Sequence, residues 1–311
     1  MSEQLRSRSE LQGRVWVLDC RDTKVPNGHH QQGRHWKAAV LSVCGEGGPH
    51  PLLWNFGPAP QACDLALARP LVKAALQQWG QGAIEWLIMD AGFVDGPWIR
   101  ALKEQAIDSI IRIKEGMDNW QAALTAAKKA SPAAWQKVAL PKRRKGCPLP
   151  LRREILGLPD QPGWETLDLP IALCLVRDTY ADKVSYWLLV STAPSQSARQ
   201  IYQLFRLRWG IEESFMALAR YHGLNELHAC RDGLALAIIH FSLLAHTLRY
   251  LCRRVDRTSA RPRTKYLVVY WAGYYALLHA SQVFQRVFDH WARWEGRREE
   301  ILEALRYCEG A

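Results

Sequence analysis

Two short apolar runs, VWVLD at 15–19 and AIEWLIMD at 83–90, each stop on an aspartate. Apolar runs of this length, bounded by turn residues, are strand-like. KAAVLSV and PLLWNF are two more such runs, separated by GEGGP, which has the composition of a hairpin loop. QACDLALARPLVKAALQQWG carries helical periodicity and stops at Gly80. After the second aspartate, DGPWIRALKEQ reads as a short helix, with Asp95 as its cap and Pro97 in its first turn. DSIIRIKEG, 108–116 at its outer limits, reads as a fifth strand. The order strand, strand, strand, helix, strand, helix, strand predicts an α/β fold, with a mixed sheet covered by helices on both faces.

Regularity lapses from about 120 to 192. Proline-rich spacing and the basic run KRRKG at 142–146 precede two extended runs, IALCLVRD and VSYWLLVST. A β-rich insertion with a basic loop is expected here. From Ser195, a candidate N-cap after Pro194, the pattern is helical. A second helix follows Asp232, and the tail from Lys265 to about Tyr307 is again helical.

Lysine and arginine outnumber aspartate and glutamate by 41 to 30 in 311 residues, a formal charge of +11. That excess favours a polyanionic partner, nucleic acid first. The eight cysteines form no CxxC pair, which excludes zinc-ribbon spacing. His29, His30 and His35 have no cysteine or acid partner at ligand spacing and read as a surface loop. The opening MSEQLRSRSELQGR has no apolar core and is not a signal peptide. The longest apolar run, Leu234 to Leu248, is broken by His240, Ser242 and His246. It suits a buried helix with both histidines satisfied in the core, and is too short and polar for a membrane span. A reducing cytoplasm, with free and mostly buried thiols, follows.

Asp19 and Asp90 end their strands, and α/β sheets gather sites at the carboxyl ends of strands. If the two strands are parallel neighbours, the two acids meet. A packed helix can bring a third. Glu212, in FRLRWGIEESFMALARYHGL, is the natural candidate. Three carboxylates suit magnesium or manganese, and two such ions can clamp an in-line phosphoryl transfer. The plainer reading of Glu212 is an i, i+4 pair with Arg208 on a helix surface. Trp209, beside that arginine, is expected in the core.

The chain resembles the catalytic domain of DDE transposases, in the bacterial group of insertion sequence four. That group's signature is Tyr, two residues, Arg, three residues, Glu, six residues, Lys. FRLRWGIEESFMALA gives Phe205, Arg208, Glu212 and Ala219 in that register. IMDAGFVDGPWIRALKEQAIDSIIRIKEGMD is similar to the family's second-aspartate block and points to Asp90. VWVLDCRDTKVPNG resembles its opening strand, where Asp19, ending the apolar run, is preferred and Asp22 remains an alternative.

The resemblance implies a ribonuclease H-like fold: 12–118 as the first part of the catalytic core, 119–192 as a β-rich insertion, 193–250 as the remainder, and 251–311 as a helical extension. It implies a transposase that cleaves DNA at transposon ends and joins them to target DNA, as a homodimer on paired ends. Asp19, Asp90 and Glu212 would be its catalytic metal ligands, for Mg2+ or Mn2+ in its place. Arg208 would orient a phosphate or carboxylate, or be a structural ion pair. Lys142, Arg143, Arg144 and Lys145 would track the DNA backbone, or be a solvated loop. A cytoplasmic, nucleoid-associated protein with no membrane partner is expected.

Two departures stand out. Phe205 lacks the tyrosine hydroxyl, and Ala219 lacks the lysine ammonium. Only about fourteen residues precede VWVLD, where relatives carry a DNA-binding region. The chain therefore reads as a truncated copy, half of a split gene, or a core served by another DNA-binding protein. An inert remnant that only binds DNA is the alternative, and a nuclease that cuts without joining is a second one.

Overall fold

The computed structural model describes residues 15–25, 34–45, 48–59, 63–140 and 149–221, with the single helical positions 240 and 243. Nine strands form one sheet: β1 (Val15–Val25), β2 (Arg34–Gly45), β3 (Gly48–Ala59), β4 (Trp86–Met89), β5 (Asp108–Ile113), β6 (Gln136–Lys137), β7 (Arg152–Gln161), β8 (Ile171–Thr179) and β9 (Val184–Ser191). Their order across the sheet is β3-β2-β1-β4-β5-β9-β8-β7-β6. Among the described residues, five α-helices accompany them: α1 (Asp64–Trp79), α2 (Gly96–Glu104), α3 (Asp118–Lys129), α4 (Ala198–Leu207) and α5 (Trp209–Tyr221). The fold is mixed α/β, as the alternation of periods predicts. Among the described residues, 15–21, 37–57 and 63–214 form one compact unit, and 22–25, 34–36, 58–59 and 215 onward belong to a second. The features described below lie in the first unit unless stated otherwise.

The centre of the sheet is parallel. β1 pairs with β4 from Val15↔Trp86 to Leu18↔Met89, and β4 pairs with β5 from Trp86↔Asp108 to Met89↔Ile111. β9 then runs antiparallel to β5, with Arg112 opposite Leu189. Period-2 alternation sorts these strands into two faces. Trp16, Leu18, Leu87, Met89, Ile111, Ile113, Leu188 and Val190 share one apolar core with residues of α1, α2 and α3. The opposite face carries Val17, Ile88, Ile110 and Leu189, all buried. α4 packs on the strands β5, β7, β8 and β9. It buries Ala198, Ile201, Tyr202 and Phe205, at i, i+3, i+4 and i+7.

Local chemistry sets the helix ends. Asp95 accepts a hydrogen bond from the Trp98 backbone N–H and so caps α2, with Pro97 in its first turn, as the sequence predicts. Arg69 of α1 grips the same Asp95 oxygen at 3.1 Å. The cap of α4 is Ser197, not Ser195. Ser197 forms a capping box with Gln200, an S-x-x-Q pair that Ser195 cannot make with Ala198. α3 is a further correction, since NWQAALTAAKK forms a regular helix where regularity was expected to lapse. Asp108 anchors the start of β5. It accepts from Lys103 Nζ at 2.6 Å and from Thr192 Oγ1 at 2.8 Å. Thr192 Oγ1 in turn accepts the Ser109 N–H at 2.8 Å. These bonds fix the register of β5 against the end of β9.

His29, His30, Lys142, Arg143, Arg144, Lys145, His246, the helix after Asp232 and the tail from Lys265 lie outside the described residues, as does the side chain of His35. His240, in the second unit, is exposed rather than buried in a core, and partial burial lowers its pKa. Among the described residues, Cys20, Cys44, Cys63 and Cys174 are free thiols, of which Cys63 is exposed. None of the described helices is long and apolar enough to cross a membrane.

Candidate active site

The parallel pairing of β1 and β4 brings the ends of both apolar runs together, so Asp19 and Asp90 stand on neighbouring strands. α4 and α5 meet at Arg208, the C-cap of α4, directly before Trp209 opens α5. The expected single helix is thus two, and Arg208 sits at their junction. Gly210 lets α5 approach the start of β3. A Cβ there would lie 2.2 Å from Pro49 Cδ, so only glycine fits without displacement. Glu212 follows in the first turn of α5.

One guanidinium gathers all three acids. Arg208 Nη1 donates to Asp19 Oδ2 at 2.9 Å and lies 3.9 Å from Asp90 Oδ2. Its Nη2 donates to Glu212 Oε1 at 2.5 Å. The i, i+4 pair is real, but it belongs to a partly buried bridge whose Arg208 and Asp19 are withdrawn from solvent. Arg208 is 9% exposed and Asp19 8%. The buried Arg208 Nε–H has no hydrogen-bond partner among the described residues. The guanidinium lies 5.5 Å from the ring centroid of Phe205. Asp22 is exposed and belongs to the second unit, so Asp19 is the acid held in this bridge.

The electrostatics are those of a crowded carboxylate cluster. Burial pushes the Asp19 carboxyl up to about 6, and Asp90 and Glu212 push the same way. Arg208 and the Cys20 backbone N–H, which donates to Asp19 Oδ1 at 2.9 Å, pull it down. Desolvation wins.

The donor set matches a hard divalent cation: three carboxylates, all acceptors when ionised. Their placement answers to Arg208 instead. Among the described residues, no three His, Cys, Asp or Glu side chains stand together as a metal group. The residues fit a metal in kind, while in this structure their carboxylates face Arg208.

The Transposase DDE domain model matches residues 12–248, more than half of the chain. The chain belongs to the DDE transposase family. Asp19, Asp90, Arg208 and Glu212 all fall within the matched span. No curated protein matches. Among solved structures, the NurA nuclease from Sulfolobus solfataricus is similar over 63% of this chain and 73% of that one, at 10% identity and a TM-score of 0.30.

Several neighbours of this candidate site were not apparent in the sequence. Trp209 is 41% exposed, not core; it opens α5, after the α4 stripe has ended at Phe205. Asp64, at the start of α1, pairs with Lys37 Nζ at 2.7 Å. Its Oδ2 would lie 2.7 Å from a Cβ on Gly92, so the Asp64 carboxylate packs close to the turn that follows Asp90. Burial and Asp64 hold the Cys20 thiol well above the usual range. Arg112 lies on β5, exposed, beside the acid-bearing strands. Its signal was available: in DSIIRIK an arginine between two isoleucines must face the layer opposite theirs.

Proposed function

We propose that this DDE-family chain is a DNA transposase of the insertion sequence four group, with a ribonuclease H-like core from 12 to 118 and 193 to 250. The convergence of Asp19, Asp90 and Glu212 on Arg208 supports this reading, together with the family match. The three acids would hold divalent ions, magnesium or manganese, which supply activation of a water or 3′-hydroxyl nucleophile and stabilisation of the leaving oxygen.

Arg208 has two duties in this reading. Without metal it neutralises the acids. With DNA bound, its planar fork moves to a backbone phosphate, a partner it fits in two-point geometry. Burial raises the Asp19 pKa to about 6, so a cation facing it favours the ionised form. Phe205 packs on Trp187, at 6.0 Å between ring centroids, and forms an apolar wall beside Arg208. The segment 119–192 serves as the insertion, and the run Lys142–Lys145 tracks the DNA backbone. The chain works as a homodimer on paired transposon ends.

The test is joining. Supercoiled plasmid and a labelled duplex with a free 3′-hydroxyl are incubated with the chain in Mn2+. Label transferred to the plasmid is the expected result. Nicks without transfer would reduce the reading to a nuclease. Neither product, with DNA binding retained, would assign the chain as an inert remnant.

A further inference from the structure

Arg112 stands one rung beyond the last paired residue of β5 and β4. Met89 is in register with Ile111, so Asp90 and Arg112 are the next residues along parallel neighbouring strands. Adjacent strands lie about 4.8 Å apart. Asp90 keeps an extended backbone, with φ −89 and ψ 174. Ile111 and Ile113 face the α1–α3 core, so Arg112 faces the other way, toward the layer that holds Arg208. Asp19, Asp90 and Arg112 thus follow one another across β1, β4 and β5.

The side chain is exposed and forms no ion pair among the described residues. Its guanidinium lies 6.0 Å from the Trp187 ring centroid on β9. That ring is itself fixed. Its Nε1–H donates to Asp178 Oδ2 at 3.1 Å, and Tyr202 and Phe205 pack at 6.2 and 6.0 Å. Arg153 also lies over Trp187, at 5.3 Å, but its charge is met by Asp178 through two hydrogen bonds. Arg112 has the stacking without the carboxylate. Stacking restricts the long side chain, so less freedom is lost when it grips an anion.

We propose that Arg112 binds a DNA backbone phosphate next to the one that reacts, holding the strand across β5 while the acids act on the adjoining linkage. This rests on the reading of Asp19, Asp90 and Glu212 as a phosphoryl-transfer centre. An exposed guanidinium one strand over from Asp90 is poised for a polyanion that must pass the acids.

The experiment uses the full chain, a fluorescent 30-base-pair duplex of arbitrary sequence, and Ca2+. Affinity is followed against salt for the native chain, Arg112→Gln, Arg112→Lys and Lys128→Gln. Lys128 is exposed on α3, which packs on the opposite face of the sheet. Loss of one phosphate contact makes the slope of log affinity against log salt shallower by about 0.9. That change is expected for Arg112→Gln, with native slopes for Arg112→Lys and Lys128→Gln and Mn2+ affinity unchanged in all. A native slope in Arg112→Gln, or an equal change in Lys128→Gln, overturns the clamp and leaves the phosphoryl-transfer reading standing. A native chain that binds the duplex with no salt dependence removes both.

Discussion

Arg208 Nη1 donates to Asp19 Oδ2 at 2.9 Å across 189 residues of sequence, and so closes the candidate site with an internal cation. A divalent ion and this guanidinium claim the same carboxylates. In Arg208→Ala the metal-free chain keeps a buried Asp19 with no cationic partner, a loss of about 3 kcal/mol or more. Its melting temperature falls without metal. Mn2+ should then restore stability by more in the variant than in the native chain, because its competitor is gone. A smaller Mn2+ gain in the variant, read by thermal melts, would show that Arg208 helps to hold the metal.

The pH dependence follows from Asp19. Its folded pKa of about 6 exceeds the ordinary 3.8, so the native state binds the proton more tightly. That contribution is complete below about pH 4 and is lost as pH rises through 6. The metal-free chain should lose stability over this window, by on the order of 3 kcal/mol from this group. Mn2+ should stabilise more at pH 7.5 than at pH 5, where the proton competes. Asp19→Asn flattens both dependences. Equal Mn2+ shifts at the two pH values would remove Asp19 from the metal site.

Gly210→Ala tests how α5 is seated. The added Cβ meets Pro49 Cδ at 2.2 Å and must push the helix away from β3. Overpacking of this kind costs about 1–3 kcal/mol. Glu212, two residues on, moves with it, so Mn2+ affinity should fall together with stability. A destabilised variant with native Mn2+ affinity would mean that the position of Glu212 does not depend on this contact.

Asp178 provides the structural contrast. It accepts two hydrogen bonds from Arg153, at 2.5 and 2.7 Å, and a third from Trp187. Asp178→Ala leaves a half-buried Arg153 unpaired, so destabilisation of about 3 kcal/mol is expected. Mn2+ affinity should not change, since the network serves the seat of α4. A chelation curve that shifts with this variant would tie the two networks together.

The central sheet was legible because its signals are local. VWVLD and AIEWLIMD announce strands by composition and both end on acids, and Asp95 with Pro97 announces the start of α2. The meeting of Asp19 with Asp90 also follows from strand chemistry, once the two strands are taken as parallel neighbours. What the sequence hides is set by packing between distant segments. Nothing in FRLRWGIEE shows that a helix ends at Arg208 or that Gly210 will lie against Pro49, a contact between distant segments. Trp209, which opens α5, is exposed beyond that helix end. The approach of Asp64 to Gly92 joins residues that share no motif. Ser197 was legible and missed: the S-x-x-Q box marks it over Ser195.

Mn2+ titration by electron paramagnetic resonance, on the native chain and on Asp19→Asn, Asp90→Asn and Glu212→Gln, goes to the acid trio itself. Each substitution should weaken Mn2+ binding. Each should also slow nicking of supercoiled DNA by roughly a thousandfold, the loss of about 4 kcal/mol of metal-derived stabilisation. Native Mn2+ affinity and native nicking in all three variants would contradict a shared carboxylate centre at Asp19, Asp90 and Glu212.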